Sequence, residues 1–288
     1  MAAERQVGRD FVVSADFVGN IGRHIAVLRN LNQPANGNGA RPYPNFAAIQ
    51  WRDPIGESNY KGVDLSVEKR LSKGYSFRLA YTLSESRDQA PEHLAATSGR
   101  QQDTNDIAAW EGPSDFDVRH RFVGNFVAES PVGAGRRFDL GTAGNALLGG
   151  WTVAGVYTAR SGRPFTVTQG GLEGATWMPN LVGDPNGQET VDSWFNVAAY
   201  QRVAAGVFGN NTRNSLRGPG YVTFDMSVQR RVRFTNRFAA TLRWDVFNLF
   251  NRANFGNPNS DITGSTAGTI SSLAGDPRAM QFSLRLHF

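Results

Sequence analysis

Apolar residues recur at every second position in segment after segment of this chain, the spacing that gathers them on one face of an extended strand. The ending "MQFSLRLHF" carries the pattern to the final residue: Met280, Phe282, Leu284, Leu286 and Phe288 alternate with Gln281, Ser283, Arg285 and His287. Seven earlier segments read the same way. "DFVVSADFVG" places Phe11, Val13, Ala15 and Phe17 on one face, and "YKGVDLSVEKRL" does so with Val63, Leu65 and Val67. "YSFRLAYTLS" sets Tyr75, Phe77, Leu79, Tyr81 and Leu83 against Ser76, Arg78, Ala80 and Thr82. In "VRHRFVGNFVA" the apolar face is Phe122, Gly124, Phe126 and Ala128, and "WTVAGVYTAR" points Trp151, Val153 and Tyr157 the same way. "VTFDMSVQR" alternates on Val222, Phe224, Met226 and Val228, and "RFAATLRWDVF" on Phe238, Ala240, Leu242, Trp244 and Val246. Helical periodicity does not recur, so eight amphipathic strands are expected.

The connections between these strands alternate in length. "SKG" (72–74) and "VRFTN" (232–236) are tight turns and 131–148 is moderate, whereas 20–58, 87–116, 161–219 and 250–277 are long and rich in Gly, Asn, Pro, Asp and Ser. Compact soluble domains rarely carry such loops. Outer-membrane barrels do, with short periplasmic turns and long loops outside. If Phe288 ends in the periplasm, every long connection falls on the outer side. The expected fold class is therefore all-β: antiparallel transmembrane β-barrel strands with long extracellular loops, in the bacterial outer membrane.

Other classes are disfavoured by what the chain lacks. No window approaches the ~18 consecutive apolar residues of a membrane-spanning helix, a criterion that barrel strands escape because only alternate residues meet lipid. The net charge of +5 invites a nucleic-acid reading, but the basic residues are dispersed, and Lys61, Lys69 and Lys73 are the only lysines. No nucleic-acid partner is expected. There is no cysteine, which excludes disulfides and thiolate metal sites. The start "MAAERQVGRDFVV" has none of the parts of a secretory signal, so a signal peptide is expected to lie outside this chain.

The faces can be assigned from charge. Asp64, Glu68, Arg78, Asp225, Arg243, Asp245 and Arg285 share the register opposite the apolar residues, as do Arg119, Arg121 and Arg231. Mixed charge of this kind suits a wet barrel interior, and these are candidate lumen charges. Tyr75, Trp151 and Phe288 stand on the apolar face near the short-turn ends and fit a membrane-interface girdle. Lys61 and Lys69 fall in the outward register near strand ends, where lysines can snorkel to headgroups. A soluble β-sandwich with the apolar face inward is the competing fold.

No catalytic constellation emerges, and an enzyme is not expected. His24, His93, His120 and His287 are dispersed, and no G-x-S-x-G element is present. "GDPNGQETVD" (183–192) places Asp184, Asn186, Glu189 and Asp192 in a turn-rich loop without the spacing of a calcium loop, so no metal site is assigned. "GGLEG" (170–174) and "GPG" (218–220) do not match phosphate loops, and no cofactor is expected.

The stretches "NYKGVDLSVEKRLSKGYSFRLAYTLS", "DFDVRHRFVGNFVAESPVG", "GGWTVAGVYTARSGRPFTV", "NSLRGPGYVTFDMSVQRRVRF", "RFAATLRWDVFNLFNRANFGNPN" and "QFSLRLHF" resemble, in order and spacing, the end of a TonB-dependent outer-membrane receptor of the Oar-like kind. The resemblance implies a barrel of about 22 strands, of which residues 1–288 are a C-terminal part, with the plug domain, TonB-contacting segment and signal peptide absent from this chain. It also implies energy-coupled uptake of a scarce ligand such as a siderophore, glycan or peptide. Partners would be outer-membrane lipid, the barrel assembly machinery and, through the N-terminal part, the TonB complex. The assembly signal would be Phe282, Leu284, Leu286 and Phe288, read by strand addition. Trp110, Trp177, Trp194 and Phe195 are candidate ligand contacts, because long loops on rigid scaffolds carry recognition. A self-contained eight-stranded barrel acting as anchor or small pore and an outer-membrane hydrolase are the alternatives.

Overall fold

A computed structural model describes residues 1–34, 37, 39–90, 101–170, 176–235 and 237–288. His93, Asn236 and positions 171–174 of the glycine-rich stretch lie outside the described residues. One antiparallel sheet organises the chain. Its strands are β1 (Ala2–Val7), β2 (Phe11–Asn30), β3 (Gln50–Ser72), β4 (Tyr75–Asp88), β5 (His120–Glu129), β6 (Trp151–Arg160), β7 (Tyr221–Arg233), β8 (Ala239–Phe247) and β9 (Ala279–His287). Each pairs with its sequence neighbours in an up-and-down order, and the sheet is open, with β1 and β9 at its edges.

The ladder registers carry the apolar and polar rows across the sheet without a break. One row runs Ala15, Leu65, Tyr81, Phe122, Ala159 and Val222. The adjacent row on the opposite face runs Asp16, Asp64, Thr82, Arg121, Arg160 and Tyr221. A one-residue slip between any two strands would exchange the faces, so the alternation locks the register. The apolar face has no covering layer: Phe17, Leu242, Phe282 and Leu284 are 54%, 48%, 75% and 62% exposed. An uncovered apolar face of this extent calls for a lipid solvent.

Two sequence expectations are corrected here. The up-and-down path has nine strands rather than eight, because Ala2–Val7 pairs with β2 from Val7↔Phe11 to Ala2↔Asp16, and the short segment Gly112–Pro113 adds a tenth strand beside the end of β4. Its sequence, AAERQV, alternates weakly and puts Arg5 on the apolar face, so backbone pairing rather than pattern makes it a strand. The connection expected over 20–58 shrinks to 31–49, since β2 and β3 continue as a ladder to Asn30↔Gln50 with bulges near Gly22 and Ile25. The part of these strands beyond Ile21 loses its apolar stripe because it is longer than the roughly 9–11 residues a bilayer crossing requires.

With β1 included, each connection on the short-turn side is still shorter than its immediate neighbours on the other side, although 130–150, shorter than the connections flanking it, is longer than 31–49: the order is 8–10, 31–49, 73–74, 89–119, 130–150, 161–220, 234–238 and 248–278. The Lys73-Gly74 turn has φ of 54° and 86°, the left-handed pair that matches strand twist in a two-residue hairpin. Lys69 closes the same turn. It is 3% exposed, donates to the carbonyls of Arg70, Ser72 and Tyr75 and to Ser72 Oγ, and sits 3.7 Å over the Tyr75 ring. Its ammonium therefore caps the turn instead of reaching headgroups. The moderate connection folds into a helix, α1 (Gly141–Leu148).

Candidate functional site

The long connections lie at one end of the sheet and are wired to each other. Asn32 gathers the first by donating to the carbonyls of Tyr43, Phe46 and Ala47. Arg29 holds Asp53 at 2.7 Å and the Thr104 carbonyl at 2.9 Å, joining the outer ends of β2 and β3 to the second connection. Gln102 then spans to the third, donating to Gly209 O and accepting from Met178 N. The third meets the fourth through Thr168 N to Ser260 O, Ile262 N to Thr168 O and Trp194 N to Gly268 O. The result is one continuous cap.

The cap owns the main apolar core among the described residues. Phe165, Val167, Phe195, Ala199 and Tyr200 are all buried, with Leu181, Trp194, Val197, Leu216 and Ile262 packed around them. Phe195 is the hub, with ring centroids 5.8 Å from Phe165 and 5.9 Å from Tyr200. Burial pushes the Tyr200 phenol up to about 12. Close backbone approach accompanies this packing: a Cβ on Gly162 would collide with the Gly218 carbonyl oxygen.

Two arginines latch the third connection onto the second. Arg213 is 3% exposed and donates to Asp88 Oδ1 (2.6 Å), the Asp88 and Ala90 carbonyls, and Asp115 Oδ1 (3.0 Å). Asn214 adds Asp115 and the Pro113 carbonyl, and Arg217 pairs with buried Asp117. A buried cation whose fork is filled by carboxylates and carbonyls is specific in geometry and costly to leave half-made.

Beneath the latch, on the polar face, lies a recess of about 570 Å³ lined by Tyr60, Asp64, Thr82, Asp117, Arg121, Thr158, Arg160 and Arg163 among others. Arg121 and Arg160 stand directly opposite each other across β5 and β6. Like charges in that position repel. Among the described residues none of the three arginines has a carboxylate within ion-pairing distance. Asp64 accepts from Thr82, and Asp117 is already neutralised by Arg217. The recess is net positive.

The register places Asp64, Glu68, Arg78, Asp225, Arg243, Asp245 and Arg285 together on the polar face. Arg243 pairs with Asp245 at 2.8 Å. Arg119 departs from its expected side: its guanidinium lies 3.4 Å from Glu85, which Lys61 also pairs at 3.1 Å, beside the apolar row. Tyr75 and Trp151 open their strands at the short-turn end, where Phe288 closes the chain. Phe282, Leu284 and Leu286 line the free edge strand β9.

The four aromatic residues expected to meet a ligand lie in the packing of the cap. Trp110, Trp177 and Phe195 are buried, and the Trp194 indole donates to the Arg217 carbonyl at 2.8 Å. They form the frame of the cap, because folding the loops against each other consumes their largest apolar groups first. The arginine recess, which sequence spacing did not reveal, is built by residues distant in the chain. Its signal was the run of arginines at the outer ends of β5 and β6, in "VRHRF" and "ARSGRPF". No group of histidines and carboxylates able to hold a metal occurs among the described residues.

Comparison with known proteins gives the fold a family. A family model described as an outer membrane beta barrel domain matches residues 1–281. No curated protein matches. Among solved structures, the outer membrane transporter YddB from Escherichia coli superposes with a TM-score of 0.53 at 11% identity, covering 99% of this chain and 31% of that one. The ferripyoverdine receptor of the outer membrane of Pseudomonas aeruginosa gives 0.45 at 13%, covering 96% and 25%. The chain thus spans about a third of the length of the transporter whose fold it shares.

Proposed function

Since the chain belongs to the outer membrane beta barrel domain family, we propose that it supplies wall, loop cap and closing strand to a larger receptor that imports a scarce ligand with energy transmitted through TonB. The observation that carries this reading is the cap itself. Four long connections, latched by Arg213 and Arg217, roof a recess on the polar face that displays Arg121, Arg160 and Arg163. A passive pore gains nothing from such an expenditure of ordered loop; a receptor does, because rigid loops position recognition groups.

The open sheet supports the rest. Strands β1 and β9 keep unpaired edges, which suits a wall continued by further strands and completed by the plug and TonB-contacting segment of a full receptor. In that barrel the apolar rows meet outer-membrane lipid, and Asp64, Glu68, Arg78, Asp225, Arg243, Asp245 and Arg285 line the lumen. Tyr75, Trp151 and Phe288 sit at the membrane interface. Phe282, Leu284, Leu286 and Phe288 act as the strand that the assembly machinery reads. The positive recess favours a ligand carrying carboxylate or phosphate groups.

Comparative uptake tests this. Cells with the gene, without it, and without TonB are grown in one complex medium, and depletion of solutes is followed by mass spectrometry. The expected result is a compound removed by the first strain and left behind by both others. Depletion that depends on this gene but persists without TonB would show a pore and overturn the proposal.

A further inference from the structure

Among the described residues, the connection 130–150 is the one short-side turn that builds a structure of its own. Asp139 Oδ1 accepts from Gly141 N (3.0 Å) and from the Asn145 amide (2.7 Å), organising the start of α1. Ser130 Oγ donates to the Leu148 carbonyl, tying the end of α1 back to β5. Such wiring fixes the helix, yet none of its residues is buried. Leu147 is 70% exposed, and Leu140 and Leu148 are about half exposed, as is Phe138.

What fixes the helix's position is telling. The Trp151 indole donates to the Leu147 carbonyl at 2.9 Å, and Arg230 reaches the carbonyls of Ala146 and Leu147. Arg230 also lies 5.3 Å from the Trp151 ring. Trp151 and Arg230 are cross-strand partners in the apolar register, in line with Leu242 and Leu284. The free carbonyls that end α1 are therefore satisfied by side chains of the lipid-facing wall itself. The helix is attached to that face at the end where the short turns lie, and its exposed leucines prolong the apolar belt past Trp151.

We propose that α1 is an interfacial helix that lies in the periplasmic leaflet of the outer membrane, with Leu140, Leu147 and Leu148 in the acyl boundary. Continuity with the wall selects phospholipid as the occupant. A short helix with an apolar side, an aromatic residue beneath it and arginines beside it matches the chemistry of the headgroup layer. Arg137, 5.3 Å over the Phe138 ring, and Arg230 supply cations at phosphate depth. The opposite side of the helix, marked by Thr142, faces water. The role is to set the vertical position of the wall, a function independent of which ligand is imported.

Site-directed spin labelling tests the proposal, since residues 1–288 contain no cysteine that would compete with an introduced one. Leu140→Cys, Leu147→Cys and Thr142→Cys variants are made in the complete receptor, with any cysteine outside these residues replaced by serine, and are labelled and reconstituted in vesicles of phosphatidylethanolamine and phosphatidylglycerol. Retained heat-modifiable migration confirms a folded barrel. Collision with oxygen should exceed collision with a water-soluble nickel chelate at 140 and 147, and the order should reverse at 142, as burial about 5–10 Å into the boundary requires. Equal ratios at all three positions would place the helix in water. A label at 147 shielded from both reagents would show a protein surface covering it; either result overturns the proposal.

Discussion

Replacing Arg213 by methionine removes four hydrogen bonds while preserving most of the apolar stem. The chief consequence concerns what is left behind. The Asp88 side chain is 9% exposed and would lose the cation 2.6 Å away, and Asp115, 34% exposed, would lose one of its partners. Removing one member of a buried pair costs about 3–5 kcal/mol. Solvent reaches Asp115, so the lower end applies, and about 3 kcal/mol raises the population of an opened cap roughly 100-fold. Strands β5, β6 and β7 are not affected, because the latch joins the third connection to the second and to the end residue of β4, Asp88. Hydrogen exchange by mass spectrometry reads this directly: amides at 176–217 and 112–117 should exchange much faster in Arg213→Met, whereas those of β5, β6 and β7 stay unchanged. Adding Asp88→Asn should restore part of the protection, since it removes the stranded charge. Cap exchange within a factor of about three of the parent would refute the latch, because a buried pair cannot be lost so cheaply.

Phe195→Ala should cost the cap about 3–5 kcal/mol through the cavity it opens among Phe165, Ala199 and Tyr200, seen as faster proteolysis within 176–217 with the barrel's heat-modifiable shift intact. If Phe195 instead only touched ligand, proteolysis would not change. Tyr200 gives a pH prediction with a definite sign. Its folded pKa of about 12 lies above the ordinary value of 10.0, so the stability it lends is complete below pH 10 and is lost as pH climbs toward 12. Phenolate absorbance should show one late-titrating tyrosine that disappears in Tyr200→Phe; a titration unaltered by that change contradicts its burial. Phe288→Ser should lower the amount of protein in the outer-membrane fraction several-fold while leaving synthesis unchanged, and equal recovery would dismiss the terminal strand as an assembly signal.

The amphipathic wall was legible residue by residue because a strand's two faces are decided locally: neighbours in sequence point in opposite directions whatever the rest of the chain does. Phe282 and Arg285 declare their sides without reference to any partner. The alternation of connection lengths was equally visible, and it fixed which end of the sheet bears the loops. Tertiary structure decided everything that depends on distant residues meeting. Ala2–Val7 is a strand only because Phe11–Asp16 lies beside it. Lys69 is a turn cap because three carbonyls converge on it, and Trp110, Trp177 and Phe195 are frame because the loops fold against one another. The arginine recess belongs to the same class: Arg121 and Arg160 are neighbours through a ladder, Arg163 through the bend that follows, and no spacing along the chain announces their meeting. Period and turn length are properties of a few consecutive residues, whereas burial and charge clustering belong to the assembled surface.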